Sequence, residues 1–250
     1  MENSGIVDIC GVRINNVSMH EAVQKVSFFI ERKKPVFLTT PNADHIVKLQ
    51  KDPEFHNIYE KAELVLADGM PLIWASKFLG TPLKEKVSGS DLFPELCRLS
   101  ADRGFKVFFF GGREGAAGKT SNAMKAKYPG LDVVGFYSPP FGFEADEKEN
   151  IKIYNMIKNS GPDILFVGLG APRQEKWIFS YYRQLSVPVS VGVGITFEFV
   201  SGMVKRAPKW MQKSGLEWFW RILQEPGRLW KRYIIEDMKF FWLVLRQRFK

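Results

Sequence analysis

Apolar residues along the chain follow two rhythms. Six short runs, Val36–Thr40, Leu64–Ala67, Lys106–Phe110, Asp132–Phe136, Asp163–Val167 and Val189–Val193, are rich in β-branched and aromatic residues, as strands buried in a sheet are. The segments between them have a helical pattern of apolar and polar positions. This alternation predicts an α/β fold, a Rossmann-like and mainly parallel sheet flanked by helices. Helix-start signals agree with it. Ser18-Met-His-Glu21 has capping-box spacing, and Pro172 stands where a first helical turn begins. Tyr137-Ser-Pro-Pro-Phe-Gly-Phe143 reads as a loop, and no repeat or low-complexity segment interrupts the pattern.

The candidate chemistry lies just past the strands. Their ends lead into Thr39-Thr-Pro-Asn42, Asp68-Gly69, Gly111-Gly112, Gly168-Leu-Gly-Ala-Pro-Arg-Gln174 and Gly192-Val-Gly-Ile-Thr196. In a doubly wound sheet those ends share the rim where nucleotides bind, because glycines let backbone N–H groups approach phosphate oxygens. Asp68 ends an apolar run there, so its carboxylate is a candidate for chemistry. Asp-Gly is also ordinary turn and helix-cap material, and that reading stays open.

Familiar nucleotide fingerprints are missing. Gly168-x-Gly170 lacks the third glycine of the dinucleotide motif. Gly118-Lys-Thr120 resembles the end of a phosphate loop, but Gly112 stands one residue too far upstream and Arg113 occupies the required position; the stretch reads as a helix starting after a turn. No Asp-x-Asp follows a strand, so a metal bridging a diphosphate has no evident ligands. A diphosphate bound here needs cationic side chains.

Composition narrows the class. The chain has 250 residues, 45% of them hydrophobic, enough for one large α/β core. The N-terminus has no signal-peptide pattern, and no apolar run approaches the roughly 20 residues of a spanning helix; a cytoplasmic protein is expected. Cys10 and Cys97 have no metal or redox spacing, and His20, His45 and His56 are scattered. The net charge of +9 sits almost wholly at the C-terminal end, where Val204 to Lys250 hold 12 Lys and Arg against 4 Asp and Glu. Five of the seven tryptophans lie there too, Trp210, Trp218, Trp220, Trp230 and Trp242. The expected organisation is an α/β domain over 1–203 and a basic, aromatic helical appendage over 204–250, with the change at Lys205-Arg-Ala-Pro208. Gly215–Leu223 and Arg228–Phe249 read as two helices broken at Glu225-Pro226. In the second, Trp230, Ile234, Met238, Phe241 and Leu245 form an apolar stripe, with Lys231, Arg232, Lys239 and Arg246 on other faces. A stripe of this kind suits an anionic membrane surface or a packed core, and periodicity does not separate the two.

Thr40-Pro-Asn42-Ala, Ala67-Asp68-Gly69, Gly89-Ser-Asp91-Leu, Phe110-Gly-Gly112, Gly168-x-Gly-Ala-Pro-x-Gln174-Glu175, Gly192-Val-Gly-x-Thr-Phe197, Lys205-Arg-Ala-Pro208-x-Trp210, Gly215-Leu-Glu-Trp218 and Gln224-Glu-Pro226-x-Arg228 occur in that order. Together they resemble the WecG/TagA/CpsF glycosyltransferases over nearly the whole chain. The resemblance implies an inverting, metal-independent transferase with no cofactor. Such an enzyme moves a sugar, typically N-acetylmannosamine or its uronic acid, from a UDP donor to polyprenyl-diphosphate-linked N-acetylglucosamine. The setting is cell-surface polysaccharide or teichoic acid synthesis, peripheral on the inner membrane face. It further implies Asp68 as general base, with Thr40, Asn42 and Gln174 lining the active site. Glu198, where many relatives have Asp, falls at the nucleotide base, and Lys86 stands where relatives often carry Arg. Gly112 and Gly170 belong to the phosphate-facing turns, and Arg221, Arg228 and Lys231 are the tail cations for the substrate. The expected partners are the UDP-sugar, the lipid-borne acceptor and an anionic membrane, not nucleic acid; a homo-oligomer is left open.

Three other readings accompany this one. A nucleic-acid binder would use the basic aromatic tail and leave the glycine rim unexplained. A soluble nucleotide-sugar isomerase would need no lipid acceptor. A non-catalytic scaffold of a polysaccharide-assembly complex would not need Asp68.

Overall fold

The computed structural model describes residues 5–249, with the Arg228 side chain outside the described part. The chain begins with β1 (Ile6–Ile9), β2 (Val12–Asn15), α1 (Met19–Arg32), β3 (Val36–Thr39), α2 (Ala43–Leu49), α3 (Pro53–Lys61), β4 (Leu64–Val65) and α4 (Met70–Phe78). It continues through α5 (Gly89–Arg103), β5 (Lys106–Gly111), α6 (Ala116–Lys127), β6 (Asp132–Tyr137), α7 (Glu147–Ser160), β7 (Ile164–Gly168), α8 (Arg173–Leu185), β8 (Val189–Gly192) and α9 (Thr196–Val200). The tail holds α10 (Lys209–Lys213), α11 (Glu217–Gln224), α12 (Pro226–Trp230), a π-helical turn (Lys231–Glu236) and α13 (Met238–Arg248). The fold is α/β with a parallel six-stranded main sheet. Two compact units make it up: Met1–Met19, Thr40–Ser88 and Lys205–Lys250 form the first, and His20–Thr39 with Gly89–Val204 the second.

The second unit carries five strands of the main sheet in the order β3-β8-β7-β5-β6, all neighbours parallel. All five β7 residues are buried, which is why this strand reads as an unbroken apolar run. Successive side chains of β5 serve opposite faces. The Phe109 ring lies 5.3 Å from Phe93 of α5 and 5.6 Å from Phe197 of α9, whereas Phe110 lies 4.5 Å from Trp177 of α8. Where β5 and β7 end, their backbones almost touch: Gly112 N–H donates to the Gly168 carbonyl at 2.7 Å. A Cβ at Gly111, whose φ is +109°, would lie 2.5 Å from the Gly168 oxygen, so glycine is required there.

The first unit contains an antiparallel hairpin, β1–β2, that the sequence reading did not anticipate. Its Ile9 and Ile14 are fully buried. β4 is only two residues long, and Val65 N–H donates to Asn15 Oδ1 of β2 at 2.7 Å. The tail is part of this unit. Its helix break falls at Glu225-Pro226 as expected, but the second helix is not continuous, because the π-helical turn divides α12 from α13. Leu229, Phe240 and Val244 are the buried residues of this stretch, and α13 packs on α2 and α4. Gln247 closes the contact with the hairpin, accepting from Cys10 N–H at 2.6 Å and donating to Asp8 Oδ1 at 3.0 Å. No helix among the described residues is long and apolar enough to cross a membrane.

Candidate active site

In the first unit, Asp68 lies between β4 and α4, half-buried and one residue ahead of the α4 N-cap, Gly69. Gly69 has φ +98°, a conformation that costs an L side chain energy, so the Asp-Gly pair is a requirement of this turn. Asp68 N–H donates to the Pro41 carbonyl at 2.8 Å, and Val87 N–H donates to the Ala67 carbonyl at 2.8 Å. These two bonds bring the Thr40-Pro41-Asn42 loop and the half-buried Lys86 to the end of β4. Thr40 is buried. Asn42 is the N-cap of α2, its Oδ1 accepting from His45 N–H at 3.3 Å. Its side chain therefore has a structural role in addition to any contact with substrate.

Behind this loop lies a buried charged cluster. Asp44, in the first turn of α2, accepts from Lys48 Nζ at 2.8 Å and pairs with Arg232 Nη2 at 3.2 Å. Burial pushes the Asp44 carboxyl up, but Arg232 and Lys48 outweigh it and hold it below its ordinary value. Burial drives His45 down to about 3, so it is neutral at pH 7, and its Nδ1 lies 3.1 Å from the Tyr59 hydroxyl. Burial raises Asp237 to about 7 despite the neighbouring Arg232 charge. Sequence reasoning placed Arg232 among surface cations and passed over Asp44. The signal for Asp44 was its place in a polar stretch just after a strand; none pointed to Arg232. Arg221 of α11 is half-buried and interacts electrostatically with Tyr233. Lys231 is exposed, its Nζ 5.8 Å from the centre of the Trp230 ring. The Arg228 side chain lies outside the described residues.

In the second unit, the parallel strands place the loops after β5, β7 and β8 on one rim. Gln174, in the first turn of α8, is 3% exposed. Its Oε1 accepts from Gly194 N–H at 3.0 Å and its Nε2 donates to Glu175 Oε1 at 2.8 Å, tying the loops after β7 and β8 together. Glu198 is 6% exposed; its Oε1 accepts from Arg113 N–H at 2.9 Å, and its buried Oε2 has no hydrogen-bond partner. Gly112 and Gly170 both have positive φ, and no atom would meet a Cβ at Gly170 within 4 Å. Gly118, Lys119 and Thr120 lie inside α6, where Thr120 Oγ1 donates to the Phe197 carbonyl at 3.0 Å, so this stretch is helix and not a phosphate loop. The sequence reading sought its arginines only in the tail. The rim has its own, Arg113 in the loop after β5 and Arg173 at the start of α8, the latter donating to the Leu169 carbonyl at 2.8 Å. Among the described residues, no three His, Cys, Asp or Glu side chains are grouped to hold a metal ion.

A family profile described as "Glycosyl transferase WecG/TagA/CpsF family" matches residues 7–250. Among similar proteins, one from Bacillus spizizenii (strain ATCC 23059 / NRRL B-14472 / W23) is 32% identical over 206 residues, covering 82% of this chain and 77% of its own. One from Bacillus subtilis (strain 168) is 29% identical over 247 residues, covering 99% and 93%. One from Staphylococcus aureus (strain MW2) is 29% identical over 232 residues, covering 92% and 87%. All three are named N-acetylglucosaminyldiphosphoundecaprenol N-acetyl-beta-D-mannosaminyltransferase.

Proposed function

The chain belongs to the glycosyl transferase WecG/TagA/CpsF family, and from that premise we propose that it transfers N-acetylmannosamine, or its uronic acid, from a UDP donor to polyprenyl-diphosphate-linked N-acetylglucosamine, with inversion and without a metal. The observation that carries the reading is the half-buried Asp68 carboxylate at the end of β4, beside the Thr40–Asn42 loop. A sugar hydroxyl is a weak nucleophile until it loses its proton, and a carboxylate within hydrogen-bond reach accepts it. The acceptor oxygen then bonds to the anomeric carbon from the face opposite UDP. The bond from that carbon to the diphosphate oxygen breaks, and the electron pair leaves on UDP. One carboxylate suffices for such a displacement.

Charge developing on the diphosphate calls for donors and cations fixed in advance. In the second unit the turn at Gly170 offers N–H groups, those of Gly112 and Arg113 being committed to the Gly168 carbonyl and Glu198; in the first unit Lys86, Arg221, Arg228 and Lys231 offer positive charge. Glu198 takes the base N–H with its second oxygen. Thr40 and Asn42 are the substrate-facing polar groups beside Asp68 in the first unit, and Gln174, held rigid by its two hydrogen bonds, is that of the second.

On this reading, residues 1–203 carry the nucleotide-sugar site and 204–250 dock on an anionic membrane, at its inner face. Exposure supports the docking. The stripe residues Trp230, Ile234, Met238, Phe241 and Leu245 are 42%, 56%, 55%, 45% and 49% exposed, while a different row packs inward. Exposed aromatic and aliphatic side chains among Lys and Arg suit a lipid interface. The deciding experiment is mass spectrometry of products from a UDP-sugar panel with a polyprenyl-diphosphate N-acetylglucosamine acceptor. A disaccharide-lipid formed from UDP-N-acetylmannosamine or its uronic acid supports the reading. Conversion of a UDP-sugar without acceptor, or no product with any donor, overturns it.

A further inference from the structure

The charged cluster behind the Thr40–Asn42 loop has no part in the roles assigned above. Arg232 sits in the π-helical turn Lys231–Glu236, a helix irregularity frequent at functional sites. Its guanidinium reaches Asp44, which is 2% exposed and stands two residues beyond the α2 cap Asn42. Pro41, just ahead of that cap, accepts the Asp68 N–H. Arg232 is thus anchored to the segment that holds the Asp68 backbone, and its charge interacts with Asp68 itself. Its Nε is buried without a hydrogen-bond partner, as is Oδ1 of Asp237. A guanidinium kept only for stability would have its buried donors satisfied; this one is held largely by charge.

We propose that Arg232 is a positioning residue for the transfer reaction: fixed by Asp44 behind the loop that holds the Asp68 backbone, it keeps the Asp68 carboxylate aimed and its charge favours the ionised form. The inference rests on Asp68 being the base. A cation beside a carboxylate favours the charged form, and in a partly buried setting that interaction is weakly screened. The other charged and titratable groups around Arg232 and Asp44 are His45 and Lys48 from α2, and Tyr233, Glu236 and Asp237 from the tail, with Lys86 at the strand end that carries Asp68. His45 is neutral and adds no charge. Asp237 titrates near neutrality and must be separated by experiment.

The test is the pH dependence of kcat and kcat/KM with a short-chain, water-soluble acceptor, compared for the wild type, Arg232→Gln, Arg232→Lys, Asp237→Asn and Asp68→Asn. Lys48 remains on Asp44 when Arg232 is replaced, so that buried carboxylate keeps an ion-pair partner. Arg232→Gln is expected to move the acid limb up by about one pH unit, the low end of shifts caused by an adjacent opposite charge. It should also lower kcat at neutral pH roughly tenfold, with little change in KM, since the aim of a base acts in the transition state. Arg232→Lys keeps the charge, so its limb should stay in place while kcat falls less. A purely structural role would change the melting temperature without moving the limb. A folded Arg232→Gln enzyme with the wild-type limb and kcat overturns the proposal. So does Arg232→Lys displacing the limb as far as Gln, or loss of the limb in Asp237→Asn. Wild-type turnover in Asp68→Asn sinks the base assignment, and this inference with it; an inactive Asp68→Asn beside an unmoved Arg232→Gln limb sinks this inference alone.

Discussion

The Asp68 N–H donates to the carbonyl of Pro41 at 2.8 Å, so the strand end that carries the carboxylate and the loop that carries Thr40 and Asn42 are held together by backbone. A bond of this kind survives changes to the side chains it positions. Either partner can be altered chemically while the geometry stays.

Asp68→Asn is therefore expected to fold as the wild type does and to bind UDP unchanged, while turnover falls about 10²-fold or more, the usual scale of general-base catalysis. Single-turnover rates together with UDP titration would check it. Turnover near the wild-type rate in a folded variant would remove Asp68 from the mechanism.

Excess EDTA should leave the rate nearly unchanged, because the proposed leaving-group stabilisation comes from backbone N–H groups and cationic side chains. Initial rates with and without chelator, then after adding Mg²⁺ or Mn²⁺, decide this. A large loss restored by either ion would show that the diphosphate is held through a metal.

Ile234→Ser, Phe241→Ser and Leu245→Ser combined alter exposed side chains only. They should reduce sedimentation with anionic vesicles at least tenfold, since each loses apolar area offered to lipid, and spare turnover of a soluble acceptor. Arg228→Ala should do the reverse: one cation among many adds roughly 1 kcal/mol to attachment, whereas a lost donor to the leaving group costs about 10²–10³ in kcat. Equal vesicle binding by the triple variant would place the membrane face elsewhere.

Stability should respond to pH through Asp237. Burial raises its folded value to about 7 from an ordinary 3.8, so the folded state binds the extra proton and the unfolded state does not. Its contribution is fully present below about pH 4 and is lost as pH rises through 7. His45 runs the other way, since its value of about 3 against 6.5 means stability lost as pH falls below 6.5. Urea unfolding at several pH values should show wild type minus Asp237→Asn falling from pH 4 to 7 and level above 8. A difference independent of pH would mean Asp237 is ionised throughout.

The strands of the parallel sheet were legible from sequence because burial on both faces forces unbroken apolar runs such as Val107–Phe110 and Ile164–Val167. Their glycine ends were legible because close backbone approach, as at Gly111 and Gly168, admits no side chain. The helix break at Pro226 followed from a missing N–H. The short hairpin β1–β2 was not legible, since two four-residue strands give little periodic signal. Nor could periodicity say which apolar row of the tail is covered: Leu229, Phe240 and Val244 pack, and the more conspicuous stripe from Trp230 to Leu245 faces outward. A helical period shows that a face is apolar, while what covers it depends on residues far away in the chain. The same holds for Arg232 and Asp44. Each reads alone as a solvated charge, and only folding α2 and the tail into one unit removes them from water and makes each the partner the other requires.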